Sequence, residues 1–181
     1  MSLDMDEQWQ EPSENGSQKR PGQIIAGWWD AHIEDRESSA ARGLAARLRR
    51  AGPVEALSER QVHALARALE LRDPDRLMRI VRVLTHIRSH ETRTFAQQLG
   101  RAGQARGDNA NAMDARFQRL LRAQGDELAT GLIRALPLIK KSCNVAALGE
   151  DLFYWSDKTR MRWSFHYFGA EAPETTPETT Q

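Results

Sequence analysis

At 181 residues, 40% hydrophobic and 28% charged, the chain is long enough for one globular domain with a real core. Its single cysteine, Cys143, excludes an intrachain disulfide framework. No apolar run approaches the about 20 residues of a membrane span and no signal-like segment opens the chain, so a soluble, cytoplasmic protein is expected.

The formal net charge of +1 is unevenly spread. Residues 1–19 hold five acids and one base, and residues 169–181 three acids and no base, which leaves 25 bases against 17 acids in the stretch 20–168, a formal +8. Twenty-two of those bases are Arg. The planar guanidinium fork pairs with phosphate in bidentate fashion and stacks on bases, so this body suits nucleic acid; a GC-rich genome that writes Arg for Lys would leave the same excess.

Residues 1–22 are poor in apolar residues and rich in turn formers (Pro12, Ser13, Asn15, Gly16, Pro21, Gly22). They are expected to be a disordered acidic extension, serving as a linker, as an acidic mimic of a nucleic-acid strand, or as nothing; the Pro/Thr/Glu tail 169–181 is expected to be disordered too. Between them the hydrophobic period is helical throughout. Ser38, Ser58, Asp73, Asp126 and Asn144 stand where N-caps belong, with Gln61 at capping-box distance from Ser58. The spacing predicts nine helices, over 24–35, 39–51, 59–71, 74–88, 93–102, 113–123, 127–141, 145–155 and 157–168, with a kink at Pro137. The Gly/Asn/Asp-rich break 103–111 divides them into two contiguous lobes, roughly 23–103 and 112–168.

Helical geometry places the arginines. In the second helix Ala41, Leu44, Ala45 and Leu48 share one face, with Arg42, Arg49 and Arg50 on the other. In the fourth, Leu77, Ile80, Val81 and Leu84 bury while Arg79 and Arg82 face out. From Met113, the stripe Met113, Phe117, Leu120 and Leu121 is a core face, and Arg116, Arg119 and Arg122 line its edge over about 9 Å, one to two nucleotide steps. Few acids stand at helical spacing to neutralise these residues.

The last helix is apolar on two sides, with Met161, Phe165 and Phe168 on one and Trp163 and Tyr167 nearly opposite, as in a helix sandwiched within a core. Trp28, Trp155 and Phe165 read as structural. Trp163 and Tyr167 remain open between core and interface, and Arg160 and Arg162 between strand contact and tethering of this helix.

Catalysis is not expected. His86 and His90 stand four apart, but without a Glu after the first and among Arg79, Arg82 and Arg88, so they read as solvated histidines and not as metal ligands. Glu150 and Asp151 have no visible third partner. Cys143, though close to Lys140 and Lys141, has no neighbouring His to act as base and reads as a buried thiol. No cofactor, metal or small-molecule substrate is expected.

Three segments carry a family resemblance: Trp28-Trp29 followed by Leu44-Ala45-Ala46-Arg47-Leu48-Arg49-Arg50-Ala51; Arg116-Phe117-Gln118-Arg119-Leu120-Leu121-Arg122; and Asp151-Leu152-Phe153-Tyr154-Trp155 leading into the aromatic helix that ends at Phe168. In order and spacing, over roughly residues 24–168, they resemble the CasB family, the small subunit of type I-E CRISPR surveillance complexes (Cascade). The resemblance implies an all-α, non-enzymatic subunit that assembles as two copies with the CasA, CasC, CasD and CasE subunits and guide RNA and holds the displaced DNA strand. Arg49, Arg50, Arg116, Arg119 and Arg122 match the family's basic motifs, as do Arg160 and Arg162. A helical scaffold whose Arg faces meet acidic proteins is the alternative. The N-terminal extension has no counterpart in the family pattern.

Overall fold

The computed structural model describes residues 19–105, 107 and 110–170; the expectations for residues 1–18 and 171–181 lie outside these, while Pro21 and Gly22, expected in the disordered extension, instead open the first helix, Pro21 at a position where its missing N–H costs nothing. The described residues form ten α-helices and one pair of two-residue strands. In chain order they are α1 (Pro21–Trp29), α2 (Ser39–Arg50), α3 (Pro53–Leu57), α4 (Arg60–Ala68), α5 (Pro74–Leu84), β1 (Ser89–His90), α6 (Phe95–Gln104), α7 (Ala110–Arg122), α8 (Gly125–Ala135), β2 (Ser142–Cys143), α9 (Val145–Phe153) and α10 (Asp157–Phe168). A π turn, Asp30–Glu34, prolongs α1. The all-α class is as expected.

Local chemistry sets most boundaries. Ser38, Asp73 and Asn144 cap α2, α5 and α9 by accepting the N–H of Ala41, Arg76 and Ala147 at 3.3, 3.0 and 2.9 Å. Thr94 and Gln97 form a capping box on α6, and Ser156 caps α10 by accepting from Thr159 at 3.4 Å. Two expected caps act otherwise. Ser58 closes the short α3, which the periodicity did not reveal, and its hydroxyl donates to the Val54 carbonyl at 2.9 Å; the residue ahead of α4 is Glu59. Asp126 lies in the first turn of α8, after Gln124, and pairs with Arg82 across to α5. Pro137 ends the α-helical part of its segment at Ala135, and Leu136–Ile139 continues as a tighter 3₁₀ turn, the expected outcome of removing a donor and fixing φ.

α1 packs along α9, α5 on α8 and α6 on α10, so segments before and after the 105–110 connection share one core. Glycines permit close approaches between the helices. A Cβ on Gly149 would stand 2.5 Å from Cγ2 of Ile25, and one on Gly100 would run into the Tyr167 carbonyl oxygen. The α1 indoles anchor that helix to its neighbours, Trp28 donating to the Gln61 carbonyl at 2.8 Å and Trp29 to the Leu84 carbonyl at 3.2 Å.

The strands are too short to leave a period in the sequence. They run parallel, Ser89 opposite Ser142 and His90 opposite Cys143. Backbone bonds from Arg88 to Lys141 at 2.8 Å and from Glu91 to Cys143 at 3.0 Å extend the ladder and tie the end of α5 to the turn after α8.

α10 corrects the expected sandwich. Trp163 and Tyr167 are buried at 1% and 4% exposure, whereas Met161, Phe165 and Phe168 are exposed. Trp163 and Tyr167 are therefore core residues and not interface residues. Phe165, read from sequence as structural, lies on the open face.

Candidate nucleic-acid interface

The structure sorts the expected strand-contacting arginines into tethered and free groups. Arg162 pairs with buried Asp151, whose other oxygen accepts the Trp163 indole N–H at 2.7 Å. Arg160 pairs with Asp157 at 2.8 Å and lies over the Trp155 ring at 5.7 Å. Both side chains are committed to holding α10, the tethering alternative left open by the sequence. Burial raises the Asp151 carboxyl above its usual range, against the opposing pull of Trp163 and Arg162.

On α2, Arg42 donates to the carbonyls of Arg36 and Glu37 at 2.9 and 3.3 Å. Arg49 Nε donates to the Thr85 carbonyl at 2.9 Å, and Arg50 is exposed. Arg47, not singled out by sequence, is bidentate on Glu59 at 2.6 and 3.1 Å. On α5, Arg79 is half-buried against the expectation that it faces out, and donates to the Leu152 carbonyl at 3.1 Å; Arg82 pairs with Asp126. Apart from those of Arg42, these partners come from other elements, so acids at helical spacing give no sign of them. An Arg on a helix end carbonyl also completes a terminus that would otherwise leave acceptors unsatisfied.

Arg116, Arg119 and Arg122 on α7 are exposed, and among the described residues none is in an ion pair. Arg116 and Arg119 open onto a groove of about 450 Å³ between α7 and α8, lined further by Leu120, Ala123, Glu127, Thr130, Gly131 and Arg134. Arg122 is not part of that lining. Arg134, which the sequence did not single out, takes its place: it projects from α8 opposite the buried Leu128, Leu132 and Ala135, a pattern legible in the sequence once α8 is known to face α7. Phe117 and Leu120, both buried, fix the α7 edge. The groove thus offers three guanidinium groups and one carboxylate, Glu127, on a floor of small side chains. Such an arrangement fits a polyanionic backbone better than a neutral ligand.

The remaining candidates take structural roles. His86 is half-buried with Nδ1 2.8 Å from the Arg82 carbonyl; burial chiefly holds its pKa below the usual value, with Arg49, Lys141 and Arg82 acting in the same sense. His90 Nδ1 accepts the Val145 N–H at 3.2 Å. His86 is thus not the solvated histidine expected, whereas His90 is exposed as expected. Among the described residues no group of three or more His, Cys, Asp or Glu side chains is placed to hold a metal ion. Cys143 is fully buried, and burial pushes its thiol up to about 12. No described helix is long and apolar enough to cross a membrane.

Residues 83–168, which include α7, α8 and the aromatic α10, match the family model for CRISPR-associated protein Cse2. The chain is 31% identical over 121 residues to the CRISPR-associated protein Cse2 of Thermus thermophilus, an alignment covering 64% of this chain and 61% of that relative's length. Its fold resembles the crystal structure of a Cse2-family CRISPR-associated protein from the same organism, with a TM-score of 0.66 at 23% identity over 84% of this chain and all of the other. Cse2 is the CasB of type I-E systems. Family model, sequence relative and fold thus agree in their likeness to the Cse2 family of CRISPR-associated proteins.

Proposed function

We propose that this protein is a non-catalytic small subunit of a type I-E CRISPR surveillance complex and that it binds the nucleic-acid backbone, stabilising the displaced DNA strand when guide RNA pairs with its target. The α7–α8 groove carries the reading: Arg116, Arg119 and Arg134 converge there, exposed and outside any ion pair among the described residues. The partners in this reading are CasA, CasC, CasD and CasE with guide RNA, and a second copy of the chain. A non-catalytic role is supported by the structural use of His86, His90 and Asp151 and by the buried, protonated thiol of Cys143.

The mechanism is energetic bias. A guide heteroduplex is about as stable as the DNA duplex it replaces, so a few phosphate contacts to the displaced strand tip the exchange toward the open loop. Because backbone contacts carry no base information, the effect is independent of sequence and weakens with salt.

The test is loop stability in the reconstituted complex at two salt concentrations, with the wild-type chain and with Arg116→Ala, Arg119→Ala and Arg134→Ala combined. Normal assembly with a less stable, less salt-sensitive loop is expected. Assembly and loop stability like the wild type would sink the strand-holding reading and favour a scaffold. One observation supports that second reading: Met161 and Phe168 are exposed at 59% and 61% on one face of α10, beside Phe165. A scaffold would lose assembly when those residues are made polar and would tolerate the arginine changes.

A further inference from the structure

The turn after α8 is closed by two residues its backbone does not favour. Lys140 and Lys141 have positive φ, 56° and 59°. The Lys141 N–H reaches the Leu136 carbonyl at 2.8 Å and the Lys140 N–H that of Pro137 at 3.2 Å, the paired bonds of a helix end where Gly is the usual residue. Glycine would close this turn without the steric conflict of a Cβ. Two consecutive lysines there point to a use for their ammonium groups.

Their surroundings are cationic. The Lys141 carbonyl accepts the Arg88 N–H at 2.8 Å, setting the two residues side by side. Arg36 donates to the Ile87 carbonyl at 2.6 Å and Arg49 to the Thr85 carbonyl at 2.9 Å. Basic residues from four separate segments, Lys141, Arg88, Arg36 and Arg49, thus meet around the end of α5, with Lys140 beside them lining a cavity with Glu91, Gln98 and Arg101, and none of these five is in an ion pair among the described residues. The nearby carboxylates are engaged elsewhere. Asp35 accepts the backbone N–H groups of Glu37 and Ser38, and Glu91 accepts from Ser142 and Gln98. Arg36 Nε is buried with no hydrogen-bond partner. Burial first, and the neighbouring cations second, hold the Arg36 and Arg49 pKa values below normal. A bound anion relieves such like-charge crowding.

We infer that the Lys140–Lys141 turn, together with Arg88, Arg36 and Arg49, is a second contact for the phosphodiester backbone of a single-stranded nucleic acid, separate from the α7–α8 groove. It rests on the nucleic-acid reading above and extends the path of the strand. The carbonyl bonds of Arg36 and Arg49 hold their guanidinium groups in place, and each group has further N–H donors to offer.

The test is fluorescence anisotropy of the full chain with a labelled single-stranded DNA at low and moderate salt. Lys140→Gly with Lys141→Gly should melt no lower than the wild type, because the turn is eased, yet bind several-fold more weakly. Its salt slope should shrink by about 0.7 for each phosphate that the variant no longer reaches. Lys140→Arg with Lys141→Arg should retain binding, and Arg88→Ala should weaken it in the same sense as the glycine pair. A glycine pair and an Arg88→Ala variant that both bind like the wild type would overturn the inference, as would a wild-type chain with no affinity for the DNA. The loop-stability experiment on the groove arginines decides the broader reading separately.

Discussion

Trp163 donates its indole N–H to Asp151 at 2.7 Å inside the core, and the same carboxylate holds Arg162 from the solvent side. The residue that the sequence left open between core and interface is therefore the inner partner of a buried carboxyl group. Trp163 stacks on Phe95 at 5.3 Å between centroids and meets Trp155 edge-on at 5.0 Å. Trp163→Ala should cost about 3–5 kcal/mol and lose the folded chain before any assembly is tested. Trp163→Phe keeps much of the packing but leaves a buried carboxylate oxygen unpaired, a loss of about 1–3 kcal/mol. Chemical denaturation of the isolated chain measures both.

The same pair gives a pH dependence. Burial raises the folded pKa of Asp151 above its unfolded value. Its contribution is then fully present below the unfolded Asp pKa of about 3.9 and is lost as pH rises through the folded pKa. Asp151→Asn removes that titration. The stability of the wild type relative to Asp151→Asn should fall as pH rises through this window, followed by thermal melts of both proteins; a difference that grows with pH would contradict the assignment.

Tyr167 lies flat on Phe117, with centroids 3.9 Å apart and planes 6° from parallel, and its hydroxyl donates to Asp114 at 2.8 Å. The stack joins α10 to α7 and so supports the helix that presents Arg116 and Arg119. Tyr167→Phe should cost about 1 kcal/mol, since Asp114 keeps access to water, and should leave complex assembly intact. Failure of assembly in a stably folded Tyr167→Phe protein would restore the interface role.

Gly100 is where α6 and α10 touch backbone to backbone. A methyl group there would overlap the Tyr167 carbonyl oxygen, and main chain cannot swing aside as a flexible side chain can. Gly100→Ala should destabilise by about 1–3 kcal/mol or more, although Ala is the better helix former. A melting temperature at or above the wild-type value would show that the helices separate at little cost.

Glu70 follows α4 with φ at 51° and makes the same paired closure as Lys140, its N–H bonding the Arg67 carbonyl at 3.1 Å while Leu71 bonds Ala66 at 2.9 Å. Glu70→Gly should stabilise the chain by about 1 kcal/mol and leave DNA affinity nearly unchanged. It is the control for the lysine turn: relief of the same backbone strain without loss of a cation.

The helices, their apolar stripes and three of the five expected caps were legible in the sequence because each depends on neighbours within one or two turns. Ser38, Asp73 and Asn144 bond residues three positions on, and the stripe Met113, Phe117, Leu120 buries as its spacing requires. The exposed Arg116 and Arg119 followed from the same geometry. The short α3 left no periodic signal, and the strand pair 89–90 with 142–143 depends on segments far apart in the chain.

Which arginines remain free was decided by tertiary structure alone. Arg49, Arg79 and Arg162 have similar helical surroundings in the sequence, yet fold against the Thr85 carbonyl, the Leu152 carbonyl and the Asp151 carboxylate, whereas Arg134 turns into the groove beside Arg116 and Arg119. The period of a helix states which face a side chain occupies but not what the opposing element presents there. A guanidinium is long enough to reach a carbonyl or carboxylate on another element, so its partner, and with it the site, is fixed only when the helices pack.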